Sequence, residues 1–469
     1  MTKSQKIIHL YRSILSAGVF FTFIFTIEAN KSPNFVLIFM DDQGYQDVGA
    51  FGSKTIRTPN LDNMANEGMK FTDFYSLAAV CSPSRAGLMT GCYPPRVGIT
   101  KVLFPRDTIG LNPDETTVAE VLKTKNYSTA AIGKWHIGHL PEFLPTNHGF
   151  DSYFGIPYSN DMDGVKGKNR NLDRAWIDRD ISPWNVPLLR NTSEIERPVN
   201  QNSITKRYTQ EAKKFIRNNK DNPFFLYLPH SMPHIPLFVS DDFYSNNPKE
   251  AYIRTIEEID HSIGQILQTL KETGVDNNTL VVFTSDNGPW HLKLRHHGGS
   301  ALPLRGAKFS TWEGGMRVPT IMRWPGKIPA GSVCKEVAAA CDILPTFAKL
   351  AGAELPKNKI DGKNIWPLIS GEINAKSPHT DFYYYRGNGL RAIRSGKWKL
   401  HIGSNNKQQS KQPSLTLYNL AKDISEKTDV SANNQEIVDR LHKRAKAFDI
   451  ELKTNARPHG KIEEINSKN

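Results

Sequence analysis

The segment NFVLIFMDD, residues 34–42, is an uninterrupted apolar run that ends abruptly in two aspartates. Apolar character without alternation is typical of a strand that is buried on both faces, as in a central parallel sheet. Two later segments, NPFFLYLPH (222–230) and NTLVVFTSDNG (278–288), have the same character, and the second ends in Asp286-Asn287-Gly288. The three segments therefore predict buried strands of a central sheet.

Helical patterns lie between these strands. Residues 115–125 carry their apolar side chains on one face, and residues 253–274 repeat isoleucine and leucine at helical spacing until Gly274 ends the pattern. Strands that alternate with helices predict a three-layer α/β domain.

The composition changes near residues 353–380, where the sequence becomes linker-like. Beyond this stretch, two strand-like runs flank Asn388-Gly389, which is a hairpin signal, and residues 433–453 have the pattern of an amphipathic helix. The chain of 469 residues is long enough for a large and a smaller domain. We expect a main domain over 33–370, an α+β subdomain with an antiparallel sheet over 371–455, and a frayed polar tail over 456–469.

The first 29 residues have the parts of an export signal. Basic residues at 3, 6 and 12 precede an apolar run over 13–27, and Ala29 is a suitable last residue before cleavage. The run is shorter than the roughly 20 apolar residues of a membrane span, although an uncleaved anchor or a buried strand is the alternative. We therefore expect a periplasmic or secreted protein with no stable membrane span after signal removal.

The charge balance is basic, with 60 Lys and Arg against 47 Asp and Glu. This excess suits an anionic partner, although a dispersed solvating charge would look the same. No block of lysine and arginine resembles a nucleic-acid-binding arm, so nucleic acid is not expected as a partner. Four cysteines are too few for a disulfide scaffold, and the sequence leaves open whether Cys334 and Cys341 pair.

Oxygen ligands follow two of the predicted strands, where open α/β sheets collect their ligands. These residues are Asp41, Asp42, Asp286 and Asn287. One such pair alone would favour a turn or a cap. Two pairs on two buried strands favour a hard divalent cation, Ca²⁺ before Mg²⁺.

Cys81 opens the segment CSPSRAGLMTG, residues 81–91. Ser82 and Pro83 have the pattern of an N-cap and a first helical residue, which would place the thiol where backbone N–H groups favour anions. Arg85 follows one helical turn later and can reach back towards it. Taken alone, a buried structural cysteine would be the better interpretation.

The same segment matches the C-x-P-S-R…T-G signature of the type I sulfatases, in which a maturation enzyme oxidises this cysteine to formylglycine. Other matching segments follow in order over about residues 34–430, among them GKWHIGH, PYSND, MPHIP, VVFTSDNG and RGAKFS. The chain therefore resembles this family, in its branch of arylsulfatase A and N-acetylgalactosamine-6-sulfatase. The resemblance implies an alkaline-phosphatase-like three-layer α/β/α sandwich with a large central mixed sheet, and a smaller C-terminal α+β subdomain.

The resemblance also implies a metal and a modified residue. The four strand-end residues would hold Ca²⁺ together with the formylglycine made from Cys81, and Arg85 would steady its hydrated aldehyde. A formylglycine-generating maturation enzyme would be a partner, and the substrate would be a sulfated carbohydrate of the galactose or glycosaminoglycan type.

The remaining matched positions would contact the sulfate. They are Lys134, His136, Ser159, His234 and Lys308. In the implied reaction one hydroxyl of the hydrate attacks sulfur with Asp286 as proton acceptor, and His234 protonates the departing alcohol. His136 then helps the second hydroxyl to expel sulfate. His230 lies outside the matched positions, and Glu313 and Arg317 are given no catalytic role.

Two other functions remain open. A phosphatase or phosphodiesterase of the same fold would need a serine or threonine nucleophile and a two-metal site. A non-catalytic protein that binds sulfated glycans would result if Cys81 stays unmodified.

A further histidine group, His291, His296 and His297, could bind a metal. We favour a loop that lines the substrate entrance, because no carboxylate or cysteine accompanies these histidines at the spacing of a zinc site.

Overall fold

The computed structural model describes residues 32–403 and 415–462, and the predicted signal segment lies outside them. From Ser32 onward the chain forms one compact unit, so the boundary expected at residue 370 stays a prediction. In the described part of the chain, no helix is both long and apolar enough to cross a membrane.

Eighteen strands occur in the described residues. They are β1 (Asn34–Met40), β2 (Met69–Phe71), β3 (Phe74–Tyr75), β4 (Ile109–Gly110), β5 (Ser128–Ile132), β6 (Ser152–Gly155), β7 (Leu188–Arg190), β8 (Ser193–Glu196), β9 (Phe224–Pro229), β10 (Thr279–Ser285), β11 (Thr320–Arg323), β12 (Ser332–Cys334), β13 (Ala338–Ala339), β14 (Phe382–Arg386), β15 (Gly389–Ser395), β16 (Trp398–Ile402), β17 (Leu415–Asn419) and β18 (Gly460–Lys461).

Ten α-helices occur in the same residues. They are α1 (Pro59–Asn66), α2 (Cys81–Thr90), α3 (Val118–Lys123), α4 (Leu172–Asp178), α5 (Ile204–Asn218), α6 (Ala251–Glu272), α7 (Glu313–Met316), α8 (Ile343–Ala351), α9 (Trp366–Ile369) and α10 (Gln435–Thr454).

Ten strands form the central sheet, in the order β12-β2-β11-β10-β1-β9-β5-β6-β7-β8. The five strands from β10 to β6 run parallel, and antiparallel pairs flank them at β11 and β7. The three strands predicted from continuous apolar runs are β1, β9 and β10, and they lie side by side at the centre. The mixed sheet that the resemblance implied is therefore confirmed.

Both faces of the sheet are covered, which explains why β1 has no polar alternation. Phe35, Leu37 and Phe39 pack with residues of α2, α3 and α8 on one face. Val36 and Ile38 pack with residues of α1, α5 and α6 on the other. The predicted three-layer arrangement follows directly from this alternation of buried side chains.

The predicted helices form with shifted ends. The pattern over 253–274 is α6, and the pattern over 115–125 is α3, which is shorter because Thr117 and Glu120 form a capping box at its start. Strands β14 to β17 form a separate antiparallel sheet against which α10 packs, and the predicted hairpin joins β14 to β15.

The expected fraying of the C-terminal tail is wrong for its first residues. The guanidinium of Arg457 donates to both carboxylate oxygens of Glu115, at 2.5 and 2.8 Å. Strand β18 then pairs with β4. Charge pairing and a backbone ladder therefore order this polar segment up to residue 462, although it has no apolar pattern.

Candidate active site at the carboxyl edge of the sheet

The four predicted oxygen ligands lie together at one edge of the sheet. Strands β1 and β10 are parallel neighbours in which Met40 is paired with Ser285, so the two residues that follow each strand leave the sheet side by side. The Asp42 N–H donates to Asp286 Oδ1 at 3.1 Å, and Asn287 Nδ2 donates to Asp42 Oδ1 at 2.7 Å. All four residues are buried.

Cys81 lies at the same edge, with Sγ 3.4 Å from Asp41 Oδ1. Helix α2 begins at Cys81 itself, so the predicted cap at Ser82 and start at Pro83 are wrong by two residues. The reason is a long-range contact, because the Ser82 hydroxyl accepts the backbone N–H of Leu103 and does not cap the helix. The thiol position is thus in the first turn of a fully buried helix.

The environment of Cys81 keeps the unmodified thiol protonated. Burial, and then the Asp41 carboxylate, raise the pKa of Cys81 well above its ordinary value, although Lys134 and Lys308 oppose them. Because a thiolate is the nucleophilic form of cysteine, an unmodified Cys81 would be a weak nucleophile here.

Arg85 links the two strand ends. Its Nε and Nη2 lie 3.1 and 3.0 Å from Asp286 Oδ2, and its Nη1 donates to the Lys134 carbonyl at 2.7 Å. The side chain is completely buried, so the ion pair is shielded from water.

Two buried lysines face the aspartates from other loops. The Lys134 ammonium contacts Asp41 Oδ2 and donates to Ser159 Oγ at 3.0 Å. The Lys308 ammonium donates to Asp42 Oδ2 at 2.7 Å. Burial would lower the pKa of Lys308, but Asp42, Cys81 and Asp41 together outweigh it and the pKa is raised, so this lysine stays charged.

The two predicted site histidines lie in the same region with different hydrogen bonds. His136 Nε2 lies 2.9 Å from the Leu103 carbonyl and therefore carries the proton, which leaves the buried Nδ1 as an acceptor with no partner in the described residues. His234 Nδ1 lies 2.6 Å from the Ile235 carbonyl, and its Nε2 lies 3.6 Å from Asp42 Oδ2. Burial lowers the pKa of both rings, with added repulsion from Lys134 at His136 and from Lys308 at His234.

The donor set fits a hard cation. Asn287 Oδ1 is buried and accepts no hydrogen bond within the described residues, although the amide end of the same side chain is fully used. Burial, and then the Asp41 carboxylate, raise the pKa of Asp286 although Arg85 opposes them, so its ionised form is incompletely stabilised. A divalent cation bound by oxygen atoms would satisfy both features.

Trp290 is a site residue that the sequence interpretation missed. Its ring lies 5.4 Å from the His234 ring, and the Lys308 ammonium lies 4.4 Å from its centre. The available signal was its position two residues after Asp286-Asn287-Gly288, the segment that follows β10.

His230, in contrast, is buried with no hydrogen-bond partner for either ring nitrogen among the described residues.

A carboxylate lies beside two of the three histidines of the 291–297 loop, although none accompanies them at the spacing of a zinc site along the chain. Asp173 Oδ1 lies 2.6 Å from His296 Nε2 and 2.8 Å from His297 Nε2. The residues are 123 or more positions apart, so spacing along the chain gives no signal of the contact. His291 is not part of this group.

Family models match nearly the whole of this architecture. The model described as "Sulfatase" matches residues 33–353, and the model described as "N-sulphoglucosamine sulphohydrolase, C-terminal" matches residues 307–451. The chain belongs to the sulfatase family. It is accordingly a sulfuric ester hydrolase, and members of this family typically bind a divalent metal.

Curated sulfatases are similar over most of the chain. Arylsulfatase A of Bos taurus is 39% identical over 394 residues, which cover 80% of this chain and 76% of the relative. N-acetylgalactosamine-6-sulfatase of Rattus norvegicus is 38% identical over 395 residues, which cover 80% of this chain and 72% of the relative.

Solved sulfatase structures share the fold. The crystal structure of Ps i-CgsB is 34% identical with a TM-score of 0.77, covering 91% of this chain and 94% of its own. The PsFucS1 sulfatase from Pseudoalteromonas sp. is 27% identical with a TM-score of 0.76, covering 92% of each chain. The predicted alkaline-phosphatase-like fold is thereby confirmed for this sulfatase.

Proposed function

We propose that this sulfatase hydrolyses sulfate monoesters of carbohydrates, with a formylglycine made from Cys81 as nucleophile and Ca²⁺ as the bound metal. The observation that carries the proposal is the place of Cys81. Its side chain points to Asp41 at the sheet edge, within a group of three carboxylates, an arginine and two lysines that are all buried.

Conversion of Cys81 explains how this position can act as a nucleophile. The raised pKa of the thiol disfavours the thiolate, whereas a hydrated aldehyde carries two hydroxyl groups on one carbon. One hydroxyl attacks sulfur, and the other re-forms the aldehyde when sulfate leaves. A serine has no second hydroxyl and would stop at the sulfated adduct.

The buried cations supply the charge that a sulfate ester requires. Lys134 and Lys308 hold the sulfonyl oxygens, with Ser159 and His234 as further contacts. Both lysines pair with aspartates of the sheet edge, and these pairs fix the orientation of the ammonium groups. Fixed donors of this kind stabilise developing charge more than water does.

Three side chains accept or donate protons during the proposed reaction. Asp286, which lies at the same sheet edge as Cys81 and is held by Arg85, accepts the proton of the attacking hydroxyl. His136 Nδ1, an acceptor without a partner in the described residues, takes the proton of the second hydroxyl. His234 already holds its proton at Nδ1, so it must gain a second at Nε2 before it can protonate the leaving alcohol. An anionic substrate beside Asp42 would favour that protonation.

Asp41, Asp42, Asp286 and Asn287 would hold the metal together with the residue made from Cys81. When bound, Ca²⁺ would polarise that residue and the sulfate oxygens. Mg²⁺ is the less favoured ion, because it requires stricter geometry and gives up its water reluctantly.

A sulfated galactose-type polysaccharide or glycosaminoglycan sugar is the proposed substrate. Ps i-CgsB, which is 34% identical, has been solved in complex with k-i-k-neocarrahexaose. Another relative is named for an N-acetylgalactosamine sulfate. The net charge of +13 suits a polyanion, and the predicted export signal would bring the enzyme to such a polymer outside the cytoplasm.

A phosphatase of the same fold is the second candidate. A phosphonate monoester hydrolase shares the fold with a TM-score of 0.60 at 20% identity. The cysteine at the nucleophile position favours the sulfatase reaction, and so does the single cluster of oxygen ligands that residues 32–403 and 415–462 form at the sheet edge.

Paired aryl sulfate and aryl phosphate esters test the proposal. The matured enzyme should release sulfate far faster than phosphate, Cys81→Ala should abolish sulfate release, and Cys334→Ala, a buried thiol outside the site, should leave it unchanged. Preferential phosphate release, or sulfate release by Cys81→Ala, would contradict the proposal. Sulfate release from sulfated galactan and glycosaminoglycan oligosaccharides then identifies the sugar on which the enzyme acts.

A further inference from the structure

The contact of Asp173 with His296 and His297 lies outside the machinery described above. Asp173 is in the first turn of α4, and the two histidines end a short helical turn at Arg295–His297. His297 is buried with 1% of its side chain exposed, whereas His296 and Asp173 keep 25% and 33%. The group is therefore closed on one side and open to solvent on the other.

We propose that Asp173, His296 and His297 form a second cation site, which takes a transition metal such as Zn²⁺. Two imidazole nitrogens and one carboxylate oxygen are the donors that Zn²⁺ accepts in three-ligand sites, with a water in the fourth position. The site at the sheet edge is instead built from oxygen donors, so the two sites differ in the ion that they favour.

The distances support this assignment. Both Nε2 atoms face the same oxygen, Asp173 Oδ1, at 2.6 and 2.8 Å, and the three donor atoms lie within 4.8 Å of one another. Ligand atoms of a tetrahedral zinc with bonds of about 2.0 to 2.1 Å are about 3.3 Å apart. Opening the two contacts by about 0.7 and about 0.5 Å would admit the ion. The partly exposed side chains of Asp173 and His296 leave room for that change.

The site would attach the loop at the substrate entrance to the body of the protein. The loop closes tightly on itself, because a Cβ at Gly298 would lie 2.2 Å from the Trp290 carbonyl oxygen. Trp290 in turn contacts His234 and Lys308. A metal that holds His296 and His297 on α4 would therefore hold Trp290 over the sulfate contacts. This consequence rests on the proposed function, whereas metal binding does not.

Cobalt binding tests the site directly, because Co²⁺ reports nitrogen and oxygen ligands through its visible absorption. The mature enzyme, produced without a histidine tag, is first stripped of metal and then saturated with Ca²⁺. It is titrated with Co²⁺, and Zn²⁺ is added afterwards as a competitor. We expect one equivalent of tetrahedral Co²⁺ that Zn²⁺ displaces. His296→Ala should weaken binding by about 100-fold or more, since even outer-shell changes cost 10–100-fold.

His291→Ala is the matched control, because it removes an exposed histidine of the same loop that is outside the group. It should bind Co²⁺ as the unaltered enzyme does. Asp173→Asn provides a second loss variant that keeps His297 buried, and circular dichroism shows whether each variant is folded. Absence of tetrahedral Co²⁺ in the unaltered enzyme, or equal loss in His291→Ala, would show that the three residues are only a hydrogen-bonded clamp. Sulfate release is measured separately, so failure of this proposal and failure of the proposed function are distinguishable.

Discussion

Two buried charge clusters in this sulfatase have similar composition but different hydrogen bonding. One is the active-site edge. The other, which we call the junction cluster, connects the loop after Lys308 to the antiparallel sheet and comprises Tyr75, Glu313, Arg317, Tyr384, Arg394, Lys399, His401 and Glu426.

In the junction cluster every carboxylate oxygen of the two glutamates has a partner. Glu313 accepts from both tyrosines and from Lys399, and Glu426 pairs with His401 and with the Glu313 N–H. At the active-site edge, Asn287 Oδ1 and His136 Nδ1 have no partner in the described residues. His401 Nδ1 of the junction cluster also has no partner among the described residues, so the difference between the clusters lies in the side-chain oxygens. All of these are paired in the junction cluster, whereas the unpaired Asn287 Oδ1 marks the place where a cation would bind at the active-site edge.

Breaking the junction cluster should have the largest effect on stability. Lys399→Met leaves Glu313 and Glu426 buried without their shared ammonium, and loss of one member of a buried ion pair costs about 3–5 kcal/mol of the free energy of unfolding. Urea unfolding measures this cost. The folded fraction should keep its kcat/KM for an aryl sulfate within a few-fold. Glu211→Gln, which breaks a partly exposed pair with Arg190, should cost less than about 1 kcal/mol.

The matched change at the active-site edge should reduce activity strongly and stability only slightly, which is the reverse of the effect expected for Lys399→Met. Lys134→Met also removes a fully buried lysine from a carboxylate, but the carboxylate belongs to the proposed metal site. We expect kcat/KM to fall by about 10²–10³-fold, as when one donor to a developing charge is lost. In saturating Ca²⁺ the stability should fall by much less than in Lys399→Met. Equal losses of stability in the two variants would remove the distinction between the clusters.

The stabilisation of the protein by Ca²⁺ should depend on the residues of the active-site edge and not on those of the junction cluster. A ligand at 100 times its dissociation constant adds about 2.7 kcal/mol, which appears as a rise in Tm. We expect this rise in the unaltered enzyme and in Lys399→Met, with a smaller response to Mg²⁺. Asp42→Asn should lose it. If Ca²⁺ raises the Tm of Asp42→Asn as much as it raises the Tm of the unaltered enzyme, the ion binds at another site.

The smallest expected effect is a pH dependence of the stability that the junction cluster provides through Glu313. Burial would raise the pKa of Glu313, but Lys399 and Arg394 outweigh it and hold the pKa below the ordinary 4.5. Its contribution is therefore present above about pH 4.5 and is lost as the pH falls. The gap in unfolding free energy between the unaltered enzyme and Glu313→Gln should narrow by about 2 kcal/mol from pH 7 to pH 3. A gap that is constant with pH would show that Glu313 is not ionised.

The sequence predicted the features that depend on local pattern. Strand β1 is buried on both faces and shows this as an unbroken apolar run, and the oxygen ligands that follow β1 and β10 are adjacent because parallel strands end at the same edge. The positions taken from the family resemblance, such as Lys134 and Lys308, also lie at this edge.

Features that depend on distant partners were missed. The start of α2 is set by the bond of Ser82 to Leu103, and the C-terminal segment is ordered by Arg457 and Glu115. Likewise, the carboxylate that faces His296 comes from a helix 123 residues earlier in the chain. None of these contacts leaves a periodic or spaced signal.

The state of residue 81 in active enzyme is the most direct test of the account. Peptide mass spectrometry, with an aldehyde-reactive hydrazide as a second readout, compares enzyme made with and without the maturation enzyme. We predict that the fraction of aldehyde at position 81 rises in proportion to the rate of sulfate release. Full sulfate release by protein in which Cys81 is an intact thiol would contradict the account.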